Sequence, residues 1–404
     1  MKQLREISKE FLTGSSKNQL AVVAAVTVVM FIADLISHGG GLIMRPDSIS
    51  YFQEGENMTN GIFPFLRTPV YPFLYYSLVN AFGGGGMYML SLLQLAMLMI
   101  SEICLYKATE TVSGKKWLSF VAAAIYGWRF ETVSETMVIL TESLSVSLFA
   151  ILIYYIVEAL YNTNKRKPCL MIGVVMAVML MLKPFFICLL PVVIIVYLWC
   201  AWSGSRATRM AAAFGTIIII APYIAYCAAF QQNYGIFSTS SVGTNNLRFT
   251  LCQVDSSLQK ENDSQNNFLA FKSENDKLLK THSGEVVRMK AALMSNYVFS
   301  TYSVFPSWNK YPATDASHFH PFALVSFIIA TAYFAGIIAI ARRKQWKLTV
   351  FRFAILLSVI AIFFTAFAGA DNSYNRLLSP AYPALVMMTA WIISAVAERY
   401  KAKE

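Results

Sequence analysis

Apolar residues run in long blocks along this chain, separated by short basic connections and by two long polar segments. A helix needs about 20 mostly apolar residues to cross a hydrocarbon core, with a range of about 17–25. Candidate blocks lie at 20–37, 86–106, 116–128, 137–158, 168–182, 185–201, 207–229, 320–341, 348–368 and 377–397. The run 169–200 is apolar almost throughout, but Lys183-Pro184 interrupts it. Proline disrupts a helix interior, and a lysine at the membrane centre costs about 2.5–3.5 kcal/mol. Two helices joined by a tight interfacial turn avoid both costs. Block 116–128 is short for a full crossing, which predicts a tilted or broken helix or one that continues past Trp128. The first block follows a basic stretch but lacks a small-residue cleavage site, so it reads as a retained helix.

The long polar segments span 38–85 and 231–319. In the first, Pro69 and Pro72 precede an aromatic stripe of Tyr71, Phe73 and Tyr75, which predicts an interfacial amphipathic helix over 70–82. In the second, Val286, Met289, Leu293 and Tyr297 recur at helical spacing, so 283–299 predicts a surface helix. Leu247–Val254 alternates like a short strand. The pattern therefore predicts an all-α polytopic membrane protein of ten spans. Its regions are 1–230, the mixed but mainly helical loop 231–319, and 320–404. No internal repeat, heptad array or low-complexity tract interrupts this plan.

Composition agrees. Of 404 residues, 56% are hydrophobic and 14% charged, against about 25% charged in a soluble domain. The net charge of +11 is explained by where the cations fall. With a cytoplasmic N-terminus, the inside holds Lys2, Arg5, Lys9 and Lys17; Lys107, Lys115 and Lys116; Lys165, Arg166 and Lys167; Arg206 and Arg209; the cluster from Arg342 to Arg352; and Arg399, Lys401 and Lys403. The short opposite connections hold only Arg45, Arg67, Arg129, Lys183 and Arg376. The positive-inside rule accounts for that asymmetry without a nucleic-acid partner. Both termini are then expected in the cytoplasm and both long loops outside. Five of the six cysteines lie in or beside apolar blocks and read as small buried hydrophobes. His318 and His320 form an H-x-H pair with no carboxylate cluster nearby, so no metal site is assigned. The sequons at Asn57 and Asn262 are short enough to be chance.

The candidate chemistry lies in the expected outer connections. Asp47 follows the first span, with Tyr51 four residues on, then Arg67-Thr68-Pro69-Val70-Tyr71-Pro72 and the aromatic helix. Leu140-Thr141-Glu142-Ser143-Leu144 opens a later span, Lys183-Pro184 marks the hairpin, and Asn375-Arg376-Leu377-Leu378-Ser379-Pro380-Ala381-Tyr382-Pro383 opens the last. This ordered set resembles the GT-C glycosyltransferases, in the branch containing protein O-mannosyltransferases and lipid A aminoarabinose transferases. It departs from that pattern where Ser48 follows Asp47 in place of a second acid, where Leu377 replaces Tyr, and where Lys183 replaces Arg and loses the bidentate fork.

The resemblance implies a GT-C fold and transfer of a sugar from a polyprenyl-phosphate donor, with inversion, to a glycan, lipid or protein acceptor. It implies a site on the outer face of a bacterial inner membrane, and leaves any divalent metal open. Such transfer needs a base for the acceptor hydroxyl, cations for the departing phosphate and a greasy surface for the isoprenoid. Asp47 suits the base. Arg67, Lys183 and Arg376 suit the phosphate. Tyr51 and Tyr71 suit substrate contacts, and Asp371 and Arg129 complete the candidate set. Glu142 is expected about 8 Å along its helix from the outer end, at a 1.5 Å rise per residue; intramembrane carboxylates are usually functional. Plainer roles stand beside these: Asp47 as a helix cap, Glu142 paired with Arg129, Lys183 and Arg376 snorkelling to the interface, and Asp371 as partner to Arg376. The competing class is a transporter or flippase of a lipid-linked or anionic solute. It would favour charges near the midplane and paired halves, neither of which the sequence displays.

Overall fold

A computed structural model describes residues 15–162, 165–255, 257–258, 267–299, 321–341, 346–369 and 374–401. The described chain is helical, with one isolated bridge between Ile43 and Val138. In chain order the helices are α1 (Ser16–Ser37), α2 (Pro46–Thr59), α3 (Val70–Phe82), α4 (Gly85–Ser113), α5 (Lys116–Gly127) and α6 (Phe130–Ser134). Next come α7 (Glu142–Tyr161), α8 (Arg166–Leu182), α9 (Leu190–Ser203), α10 (Arg206–Tyr234), α11 (Val242–Val254) and α12 (Phe268–Phe299). The chain closes with α13 (Pro321–Ala341), α14 (Trp346–Gly369), α15 (Tyr374–Leu378) and α16 (Tyr382–Lys401).

Among the described residues, seven helical segments are long and apolar enough to cross a membrane. Of the other three expected spans, α5 has 12 residues, α8 has 17, and α13 contributes the shorter apolar stretch Leu324–Ala339. The chain is an integral membrane protein. The hairpin over 169–200 forms as its Lys183-Pro184 break predicts. Helix α8 ends at Leu182, Lys183 is extended at φ −156° and ψ 116°, and a 3-10 turn over Pro184–Leu189 leads into α9.

Two expectations are corrected. Val242–Val254 is helix, not a strand over 247–254, because Leu247, Leu251 and Val254 within that alternation also recur at helical spacing. The span expected from 137 begins at Glu142. Residues before it form turns and one bridge instead, with Ile43 N–H donating to Met137 O at 3.0 Å and Ile139 N–H donating to Ile43 O at 3.1 Å. Glu142 is consequently the first residue of its helix and not a turn and a half inside it.

Helix α7 is the axis of the bundle, buried on nearly every side. Serines at 143, 145 and 147 keep it slender near one end, which lets neighbouring backbones approach in a setting where packing drives helix association. Gly173 of α8 and Gly215 of α10 do the same farther out: a Cβ on Gly173 would lie 2.7 Å from Gly215 O. Peripheral helices turn large apolar side chains outward, among them Val29, Ile217 and Phe364, as lipid contact requires. Polar pairs pin α1 to α4 inside the bundle. Tyr106 Oη donates to Gln19 Oε1 at 2.7 Å, and Thr27 Oγ1 to Glu102 Oε1 at 2.6 Å.

At the end of the bundle where α1 finishes, α2 and α3 form a covering layer. They pack closely because position 55 is glycine: a Cβ there would meet Pro72 O at 2.3 Å. Aromatic side chains fill the seam, with Tyr51 edge-on to Tyr71 at 4.9 Å and Phe52 edge-on to Tyr75 at 5.5 Å. Helices α11 and α12 cover the same end from the other side.

Candidate active site

Five charged side chains from four separate connections meet beneath this layer. Asp47 lies in the first turn of α2, following Pro46 at the helix start. The cap position is Arg45, whose backbone N–H donates to Ser48 Oγ at 3.0 Å. Ser48 Oγ in turn donates to Ile139 O at 2.8 Å, which ties α2 to the strand-like segment before α7. Asp47 is thus set beside the N-terminus of α7 by backbone contacts, and Glu142 arrives there as that helix's first residue.

The cations come from elsewhere. Arg67 follows a loop that Glu54 holds in place, its carboxylate accepting from Phe65 N–H at 3.2 Å and Leu66 N–H at 2.6 Å. Burial pushes the Glu54 carboxyl above its ordinary value, despite those two amides. Thr68 Oγ1 donates to Leu182 O at 2.9 Å, which brings this loop to the end of α8, one residue before Lys183. Arg376 enters on α15, and the turn after it is fixed by Ser379 Oγ donating to Arg376 O at 2.9 Å.

The charges then form one chain. Arg67 Nη2 donates to Asp47 Oδ1 at 2.8 Å, and Arg376 Nη2 lies 2.7 Å from Asp47 Oδ2. Arg376 Nε lies 2.9 Å from Glu142 Oε1, an ion pair whose N–H is not aligned as a hydrogen bond. Lys183 Nζ donates to the same Glu142 oxygen at 2.9 Å. Arg67 also donates through Nε to Ser50 Oγ at 3.0 Å and stacks over the Tyr51 ring, Cζ to centroid 4.6 Å. Tyr51 Oη lies 3.5 Å from Thr141 Oγ1. Burial acts to raise the Asp47 carboxyl, but Arg67 and Arg376 outweigh it and hold it below its ordinary value.

A cavity of about 500 Å³ opens against this cluster, within the range of about 300–1,000 Å³ usual for small-ligand sites. Asp47, Tyr51, Arg67, Lys183 and Arg376 line it, together with Phe185 from the hairpin turn. Asn245, Arg248 and Phe249 of α11 also line it. Its walls therefore combine cations with apolar surface.

Of the residues singled out in the sequence, Asp47, Glu142, Arg67, Tyr51, Lys183 and Arg376 are brought together. Tyr71 is fully buried under Tyr51, its Oη donating to Gln94 Oε1 at 3.3 Å, and it supports the site without facing the cavity. Arg129 stands apart: its Nε donates to Glu131 Oε2 at 3.0 Å and its guanidinium lies over Tyr382. Glu142 pairs with Lys183 and Arg376, not with Arg129. Asp371, His318, His320 and the sequon at Asn262 lie outside the described residues. Among the described residues no group of three His, Cys, Asp or Glu side chains converges.

Sequence reasoning missed three participants. Arg248 was hidden by the strand expectation; the spacing Leu247, Leu251, Val254 was the helical signal available. Glu54 had no signal beyond being an acid before a glycine. Glu135, partly covered between α6 and α7, faces the same charge cluster: burial first, then the nearby Glu142 charge, pushes its carboxyl up to about 8, with Arg129 and Lys183 opposing.

No protein-family model and no curated protein sequence matches the chain. Solved structures do. The Archaeoglobus fulgidus oligosaccharyltransferase tethered to an acceptor peptide containing an NVT sequon matches with a TM-score of 0.56 at 14% identity, over 96% of this chain and 51% of that one. The oligosaccharyltransferase AglB of the same organism, in complex with an inhibitory peptide and a dolichol-phosphate, matches with a TM-score of 0.54 at 14% identity, over 96% and 51%. The A. fulgidus enzyme with Zn and sulfate gives 0.52 at 12% identity, over 95% and 49%. The chain spans about half the length of these proteins. At such identities the likeness is one of fold alone: nearly the whole chain shares the fold of these oligosaccharyltransferase structures.

Proposed function

We propose that the chain is a glycosyltransferase that moves a sugar from a polyprenyl-phosphate carrier to an acceptor hydroxyl, with inversion, at the membrane face bearing α2, α3, α11 and α12. The observation that carries this reading is the convergence of Arg67, Lys183, Arg376 and Asp47 on one cavity, with the buried Glu142 paired to Lys183 and Arg376 behind it. Three cations against two carboxylates leave one positive charge, which a single sugar phosphodiester cancels. Cations that merely snorkel to lipid headgroups have no reason to gather in this way.

The chemistry follows from the arrangement. The acceptor oxygen attacks the anomeric carbon while its proton passes to Asp47. The bond from that carbon to the phosphate oxygen breaks, and the electron pair leaves with the phosphate. The carrier phosphate thereby gains a negative charge, which Arg67, Arg376 and Lys183 stabilise more strongly than the charge of the bound donor. Without a ligand both Asp47 oxygens face guanidinium groups, and a carboxylate so held is a weak base. A donor phosphate competes for the same guanidinium groups and so releases Asp47 for proton transfer. Tyr51 and Phe185 supply aromatic surface beside the phosphate position. Glu142 holds Lys183 and Arg376 in register. The face is proposed to be the outer side of a bacterial inner membrane, from the distribution of Lys and Arg.

Purified protein in nanodiscs, given a panel of polyprenyl-phosphate sugars and candidate glycan, lipid and peptide acceptors, tests the reading. Sugar transfer with release of polyprenyl phosphate supports it. Movement of an intact carrier or solute across the bilayer, with no bond to the sugar broken, replaces it with the transport alternative.

A further inference from the structure

Helix α11 places one charged side chain against the cavity, Arg248. It is only 4% exposed. Its Nη2 donates to Glu274 Oε2 at 3.0 Å, and its Cζ lies 5.0 Å from the centroid of the Phe271 ring. Among the described residues, its Nε and Nη1 have no hydrogen-bond partner. Buried donors without acceptors are unfavourable, and more so on a charged group. Glu274 compensates little, because its side chain is 54% exposed and solvent screens it. The planar guanidinium rests on Phe271 and keeps its edges for acceptors.

Charge gives the same answer. Arg67, Lys183 and Arg376 set against Asp47 and Glu142 leave room for one negative charge in the cavity, and Arg248 adds a positive charge from another element. We propose that Arg248 forms a second anion subsite of this cavity, which takes a negatively charged oxygen group distinct from the phosphate held by Arg67, Lys183 and Arg376. That group is a second phosphoryl on the lipid carrier or a carboxylate on the sugar. The inference rests on reading the cavity as the donor site.

The experiment measures binding of two probe pairs to the full chain in nanodiscs: farnesyl phosphate against farnesyl diphosphate, and glucose 1-phosphate against glucuronic acid 1-phosphate. The parent is expected to favour the more charged member of one pair by about tenfold, the scale of one charge-assisted contact. Which pair shows the preference identifies the source of the second anion. Arg248→Gln is expected to abolish that preference while leaving the less charged probe within twofold of the parent and the melting temperature unchanged. A structural arginine would instead lower the melting temperature and weaken all probes alike. Should Arg248→Gln fail to fold, Arg248→Lys, which lacks the Nε and Nη1 donors, is expected to cut the preference at least threefold. No preference in the parent for either pair, or an undiminished preference in the variant that folds, overturns the subsite. Arg67→Met separates this from the underlying reading. If it weakens all four probes while Arg248 variants do nothing, only the subsite fails. If it weakens none, the donor-phosphate reading itself fails.

Discussion

Arg376 Nη2 lies 2.7 Å from Asp47 Oδ2, which joins the opening of the last span to the first polar loop. The same guanidinium reaches Glu142 through Nε at 2.9 Å. One cation thus bridges a carboxylate that lines the cavity, Asp47, and a buried one behind it, Glu142, and a phosphate entering the cavity meets a guanidinium already in place. Arg376→Met, Arg67→Met and Lys183→Met are each expected to weaken donor binding and to slow single-turnover transfer by about 100-fold or more, the usual cost of losing one preorganised electrostatic group. Arg67 and Arg376 should cost more than Lys183, because a guanidinium offers a planar fork to phosphate. If all three variants bind and turn over donor like the parent, the phosphate site is elsewhere.

Glu135 gives the structure a pH signature. Its carboxyl is pushed up to about 8 from an ordinary 4.5, by burial first and then by Glu142. Between those values the folded state binds more protons than the unfolded state, so stability falls as pH rises and the loss is complete above about 8. The melting temperature of the parent in detergent is expected to decline from pH 6 to pH 9. Glu135→Gln should flatten that decline. A variant with the parental slope would mean that Glu135 does not hold its proton.

Close packing of α2 on α3 sets where Asp47 stands. Gly55→Ala places a Cβ within 2.3 Å of Pro72 O and 2.4 Å of Tyr76 Cβ, atoms that cannot move aside alone. The expected loss is about 1–3 kcal/mol, as for other overpacked contacts, together with reduced transfer as the covering layer tilts. Parental thermal stability and activity in Gly55→Ala would show that the two helices separate freely.

Orientation is testable without activity. The distribution of Lys and Arg predicts a cytoplasmic C-terminus and an outside location for the loop that contains Asn262. Reporter fusions at the two positions should report opposite sides of the membrane. The same side for both would overturn the topology and the proposed outer face with it.

The helical plan was legible because bilayer thickness imposes a length that apolar runs reveal directly. The Lys183-Pro184 break and the helix at Val70–Phe82 follow from local rules, as does helix over 283–299, although that helix begins earlier, at Phe268. What stayed hidden depends on pairing across the chain. The bridge of Ile43 to Val138 holds the residues before Glu142 out of the helix, though they are as apolar as those that follow. Arg248 was hidden because a short stretch can satisfy both a two-residue and a helical period. Motif order suggested that Asp47, Arg67, Lys183 and Arg376 belong to one site, but their meeting depends on long-range hydrogen bonds such as that donated by Thr68 Oγ1 to Leu182 O. No single stretch of sequence records such a contact.

Asp47 is proposed to accept the proton of an attacking hydroxyl. Asp47→Asn keeps the side chain's shape and removes that capacity. Single-turnover transfer by the purified variant, at saturating polyprenyl-phosphate sugar, reads the loss of that proton acceptor. The expected rate is lower by about 100-fold or more, in the range of general-base loss, with donor binding retained because Arg67, Lys183 and Arg376 remain. Transfer by the variant at close to the parental rate would mean that Asp47 is not the base.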